Sequence, residues 1–203
     1  MKKLKYLIIM ALVYFFIPNA EAQKVKLVSG NATVLKGQTE LNIQYTYEGM
    51  TVGKKDEQVY VKEKVAERNK SKAKDGETWA AKWVEDRNAK YHPKFEYTLN
   101  KALDKFKVKA LQNASGATYT LIVKIVSIEP GYNIGISRQN AYLDVAVTIV
   151  DNTQKEIAFM TIDNCPPFTS FGGYDFDTGG RIAETFSSAG YALGNFLAKK
   201  VFK

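Results

Sequence analysis

Chemistry in this 203-residue chain has few places to sit: one histidine, one cysteine and one glycine-rich stretch carrying two aspartates. His92 stands between Tyr91 and Pro93. A lone imidazole cannot make a histidine-rich metal site, and with Cys165 it offers two soft ligands where zinc takes four. A Ser–His–Asp arrangement can be assembled from distant residues, so a secreted hydrolase using His92 with a carboxylate such as Asp175 is one alternative. No G-x-S-x-G elbow accompanies it, and no neighbour in sequence orients the ring. The residue types favour a structural or surface histidine at a helix start. Cys165, followed by Pro166 and Pro167 after a strand-like run, has no intrachain partner and reads as a buried or tolerated thiol.

Phe171 to Gly180 contains Gly172, Gly173, Gly179 and Gly180 around Tyr174, Asp175, Phe176 and Asp177. The two aspartates faintly resemble a calcium loop. Counted from Asp175, however, position five is Gly179 and position twelve is Phe186 rather than Glu. No Gly-Lys-Ser/Thr follows, so the run is no phosphate-binding loop either. It reads as a strand-to-helix connection in which Asp177 caps a helix and favours its dipole. A small ligand, if carried, would meet Tyr174, Asp175, Phe176 and Asp177, with a pocket beneath the 172–180 loop. A second constellation is Trp79, Lys82, Trp83, Arg87 and Lys90, aromatic and basic residues that could present a partner surface. Trp79 and Trp83 are four apart and share a helix face, which is equally the signature of burial. No motif calls for a cofactor or a metal.

These residues must be positioned by elements, and the elements are legible in part. Leu41 to Tyr47 alternates apolar and polar, as a half-buried strand does. From Asp56 the pattern becomes helical to about Lys70, breaks over Ser71 to Gly76, and resumes from Glu77 to Lys90. Pro93 restricts His92 and starts a further helix with Phe95, Leu99, Ala102, Leu103 and Phe106 on one face. Tyr119 to Ile128, Tyr142 to Val150 and Glu156 to Asp163 are strands, the last two joined as an antiparallel hairpin. Gln23 to Lys36 reads as a loose leader or an edge strand. The C-terminal helix repeats Ile182, Phe186, Leu193, Leu197 and Val201. Its Gly190, Gly194 and Ala198 form a small-residue stripe for close packing on the sheet.

The amino terminus reads as an address. Lys2, Lys3 and Lys5 precede an apolar run from Tyr6 to Ile17, and Ala20-Glu21-Ala22 is a cleavage signal before Gln23. A run of that length is too short to cross a bilayer, so residues 1–22 are expected to be a cleaved signal peptide. Position 23 is Gln rather than Cys, so no lipid anchor is expected. The remaining 23–203 is expected to be one domain, periplasmic or secreted, with enough length for a core. Over Lys54 to Lys109 there are 16 Lys/Arg against 10 Asp/Glu, so the basic balance belongs to a helical region at 54–109. Such a region suits an envelope protein or an anionic cell-wall polymer as partner. Nucleic acid is a poor match for an exported chain, and oligomeric state is left open.

The carboxyl half carries a resemblance. A strand at Thr120 to Ile125, a Pro-Gly loop, a strand from Leu143 to Asp151 and a strand ending at Asp163 come in order. A glycine-rich loop and an amphipathic helix from Gly180 to Phe202 follow. This is similar to small envelope proteins of Gram-negative bacteria. More loosely, it resembles the α/β domain of penicillin-binding-protein activator lipoproteins and the amino-terminal domain of TolB. The resemblance implies an adaptor-like periplasmic domain and no catalytic activity. The expected fold is α/β in an α+β arrangement, with a mostly antiparallel sheet of about four strands and helices packed on one face.

Overall fold

The structure, a computed structural model, describes residues 24–168 and 177–203. The signal segment expected at residues 1–22 lies outside the described residues. The described residues form ten strands and four α-helices. The strands are β1 (Val25–Gly30), β2 (Glu40–Thr46), β3 (Thr51–Val52), β4 (Lys55–Asp56), β5 (Lys109–Gln112), β6 (Tyr119–Glu129), β7 (Tyr132–Asn133), β8 (Arg138–Gln139), β9 (Tyr142–Asp151) and β10 (Glu156–Cys165). The helices are α1 (Glu57–Ser71), α2 (Asp75–Asp86), α3 (His92–Leu103) and α4 (Thr178–Lys200).

Eight strands share one sheet, whose main order is β1-β10-β9-β6-β2-β5, with β3 on β6 and β4 on β3. The expectation of about four strands is corrected, and that of a mostly antiparallel sheet holds only in part. β6, β9, β10 and β1 are antiparallel neighbours, but β2 runs parallel to both β5 and β6, and β3 runs parallel to β6. The physical reason lies in the connection. The chain between β2 and β5 contains three helices, long enough for the crossover that parallel pairing requires. Alternation along each strand says which face is buried; it says nothing about direction.

The buried face follows that alternation. Leu143, Val145, Val147 and Ile149 of β9 are buried, as are Leu121, Val123 and Ile125 of β6. Val147 lies opposite Val123 on one side and Met160 on the other, so the strands stack their apolar rows in register. Each fully buried aliphatic of this kind contributes roughly 1.5–3 kcal/mol. Ile122, Lys124, Thr148 and Thr161 occupy the alternate positions and turn away from that core.

Pro93 does not pull His92 out of helical geometry, as expected from sequence; His92 has φ −59 and ψ −48. The chain instead passes from α2 to α3 through a wide turn at Arg87–Tyr91, where the His92 N–H reaches back five residues to Arg87 O. This π-type turn loosens the helix just before a residue that lacks an N–H and crowds the preceding turn. The small-residue stripe of α4 also packs elsewhere than expected. It meets helix α3 rather than the sheet: a Cβ on Gly190 would lie 2.2 Å from Phe95 O, and one on Gly194 would lie 2.7 Å from the Ala102 Cβ. Among the described residues, no helix is long and apolar enough to cross a membrane.

Candidate functional site

Of the residues singled out from the sequence, Lys82, Lys90 and Asp177 meet at the start of α4. Asp86, at the end of α2, is 5% exposed and accepts from Lys82 Nζ at 3.0 Å. Lys90 Nζ stands 3.4 Å from the same oxygen and 2.8 Å from Asp177 Oδ2. Gly179 admits the Asp86 carboxylate, since a Cβ there would lie 2.0 Å from Asp86 Oδ2. The first turn of α4 thus meets a buried carboxylate that two lysines and the helix dipole neutralise. One turn on, Glu184, also 5% exposed, accepts from Lys94 Nζ at 2.7 Å. Burial opposes ionisation of Asp177, yet the Lys90 hydrogen bond and the Gly180 backbone N–H hold its carboxyl below the ordinary range. Asp177 occupies the N-cap position foreseen for it. Tyr174, Asp175 and Phe176 lie outside the described residues.

The remaining aromatic and basic residues are also engaged within the chain. Trp83 is 5% exposed and donates from Nε1 to Glu57 Oε1 at 2.6 Å. Arg87 shares that carboxylate oxygen and lays its guanidinium 4.0 Å from the Tyr47 ring centre. Trp79 packs with Trp83 and Tyr60, with ring centres 5.5–6.1 Å apart. Lys82, Arg87 and Lys90 therefore each face a carboxylate of their own chain.

His92 is brought to a different setting from the one a hydrolase needs. Its ring stacks on Tyr45 at 3.7 Å and 3°, and its Nε2 hydrogen-bonds the Tyr47 hydroxyl at 3.0 Å. Nδ1 is buried without a hydrogen-bond partner. Burial and the Arg87 charge lower its pKa to about 4, so the ring is neutral at pH 7. A general base is oriented by a carboxylate and faces a nucleophile; here the imidazole is wedged between phenol rings. Cys165 is buried, and burial pushes its thiol pKa well up, as for an inert core cysteine. Among the described residues no group of three or more His, Cys, Asp or Glu could hold a metal ion.

Beside the α4 start runs a groove in two adjoining lobes of about 340 and 330 Å³. Tyr60 and Lys64 of α1 and the Glu129-Pro130 corner after β6 line both lobes. Thr178 and Arg181 of α4 close one end. Arg181 is 8% exposed and donates to Pro130 O, Gly131 O and Thr178 Oγ1, pinning the corner to the helix. Burial and the neighbouring Glu129 raise the Tyr60 phenol pKa. The walls mix both signs of charge with one half-buried aromatic ring, a lining suited to holding a polar chain.

A small hairpin rims this groove. β7 and β8 pair as Tyr132 with Gln139 and Asn133 with Arg138. At its tip, Ile134 is 62% and Ile136 96% exposed. The Tyr132 hydroxyl braces it at 3.1 Å from Ser137 Oγ. The Pro-Gly loop expected between the two strands holds this hairpin, and its isoleucines belong to no periodic pattern. The available signal was Ile134-Gly135-Ile136, two strong β-formers in a connection too short to bury them.

No family model matches the chain, and no curated protein matches it. Solved structures to which the chain is similar include PelC dodecamers from Paraburkholderia phytofirmans. One is 13% identical over 81% of this chain and 96% of its own, another 12% identical over 81% and 97%, each with a TM-score of 0.34. The groove and hairpin stand on their own geometry.

Proposed function

We propose that this is a non-catalytic binding protein of the cell envelope, exported to the periplasm or beyond, that docks a partner protein against its 132–139 hairpin. The exposure of Ile134 and Ile136 at the rim of a walled groove carries the reading. Two β-branched side chains held out in water on a braced hairpin are ready anchors, because burying them in a partner stabilises the complex at little ordering cost. The groove beside them supplies polar contacts of both signs for orientation. The basic constellation at Lys82, Arg87 and Lys90 is a weaker contact surface, since a partner would have to break their existing pairs.

The test is capture from envelope extract with the mature chain as bait. Ile134→Asp/Ile136→Asp is expected to lose the partner that wild type retains, with an unchanged melting temperature. Retained capture by that double variant overturns the reading. A second reading is a small-ligand carrier using the same groove, favoured by the Tyr60 and Arg181 walls. It predicts that groove variants such as Lys64→Ala alter binding of a polar ligand while Ile136→Asp, outside the groove lining, does not.

A further inference from the structure

A second open groove, about 680 Å³, lies on another part of the molecule between α3 and the edge strand β5. Its lining is Tyr97, Asn100 and Lys101 of α3, Asp104 just beyond it, and Lys109 and Leu111 at β5. Tyr97 is 65% exposed and Leu111 43% exposed, so a ring and an aliphatic side chain face solvent across the groove. The Lys101 ammonium lies over the Tyr97 ring, 5.9 Å from its centre, and places a cation beside this exposed aromatic side chain. From 101 to 109 the chain carries Lys101, Lys105, Lys107 and Lys109, all exposed, against Asp104 alone. Asp104 pairs with Lys109 at 3.5 Å, but both are well exposed and such a pair contributes little.

Three features decide what fits. The groove's charged lining is Lys101 and Lys109 against Asp104, with Lys105 and Lys107 exposed in the same stretch of chain, a positive balance that suits an anionic occupant. The strand edge is sealed: the Asn100 carboxamide donates to Ala110 O and accepts from Ala110 N–H, both at 2.8 Å. An extended peptide adding to β5 would need those same two groups, so strand addition is blocked there. A single exposed aromatic ring also falls short of the successive platforms on which single-stranded nucleic acids stack. A sugar ring needs only one apolar face to lie on, with charged side chains around its edge.

We infer that the α3–β5 groove binds an anionic polysaccharide, with Tyr97 stacking on a sugar face and Lys101 and Lys109 meeting its carboxylates or other acidic groups. The inference does not rest on the hairpin reading. Leu111 lies level with Asn42, and Asn42 with Thr120, whereas the hairpin-rimmed groove begins at Glu129. Nine residues of β6 therefore separate the two, about 30 Å along the strand.

The experiment titrates the mature protein with polygalacturonate, using dextran as a neutral glycan and poly-L-glutamate as a polyanion without sugar. Wild type is expected to bind polygalacturonate at least tenfold tighter than poly-L-glutamate and to ignore dextran. Tyr97→Ala is expected to weaken binding at least tenfold, and Lys101→Glu/Lys109→Glu to abolish it, with circular dichroism and melting unchanged. No binding of polygalacturonate overturns the inference. So does equal affinity for poly-L-glutamate, or full affinity in Tyr97→Ala, because either makes the interaction one of charge alone.

Discussion

His92 shows how a residue that looks chemical in a sequence becomes structural in a fold. Its ring is stacked on Tyr45 and tied to Tyr47, and burial lowers its pKa to about 4 from an ordinary 6.5. The consequence for stability has a definite sign. Between pH 6.5 and 4 the unfolded chain takes up a proton that the native chain refuses. Stability therefore falls as pH drops through that window, by at most about 1.4 kcal/mol per unit. Urea midpoints at pH 7 and pH 5 check this. His92→Gln, whatever its effect at pH 7, is expected to show a smaller loss on acidification than wild type. An equal loss in both proteins means that other groups carry the acid sensitivity. The same scale explains the constellation Trp79, Lys82, Trp83, Arg87 and Lys90. Spacing placed the tryptophans together, but Glu57, Asp86 and Asp177 took the cations.

The critical packing between elements is that of α3 against α4. Gly190 and Gly194 let α4 approach until Phe95 O and the Leu99 and Ala102 backbone and side chain fill the place of a Cβ. The Thr98 hydroxyl, buried in the same seam, donates to Ser187 O at 2.8 Å and ties the two helices directly. Gly190→Ala would gain helix propensity in isolation, about 1 kcal/mol. In the fold its methyl would meet a carbonyl oxygen at 2.2 Å, and backbone must move. Net destabilisation of about 2 kcal/mol or more is expected, on the scale of core overpacking. Chemical denaturation measures it, and a stabilised Gly190→Ala would refute the close approach. The stripe itself was visible in sequence. Its target was not, because a row of small residues states that something comes near without stating what.

At the scale of the whole molecule, the hairpin-rimmed groove and the α3–β5 groove are far enough apart to be occupied together. The two proposals taken together would make this chain a tether between a protein and a polymer. Sites more than 10 Å apart without shared partners behave additively. A protein carrying Tyr97→Ala is accordingly expected to capture the hairpin's protein partner at wild-type levels. Ile134→Asp/Ile136→Asp is expected to bind polygalacturonate with unchanged affinity. Loss of both interactions in either variant would show one shared surface instead of two.

What the amino-acid sequence determined by itself is what local periodicity can encode. The strands at 119–128, 142–150 and 156–163, the apolar row of the second, and the helical character of 56–70, 77–90 and the C-terminal segment are written in spacings of two or of three to four residues. Those spacings hold whatever the rest of the chain does. Only the tertiary structure decided that β2 enters the sheet parallel between β5 and β6, and that the glycine stripe meets α3. It also decided that Lys82, Arg87 and Lys90 are paired while Ile134, Ile136 and Tyr97 are exposed. Each of those outcomes depends on which residues remote in sequence arrive at the same place. Burial and ion pairing are properties of that arrival, so a residue's type announces what it can do, and its neighbours in space decide whether it does it.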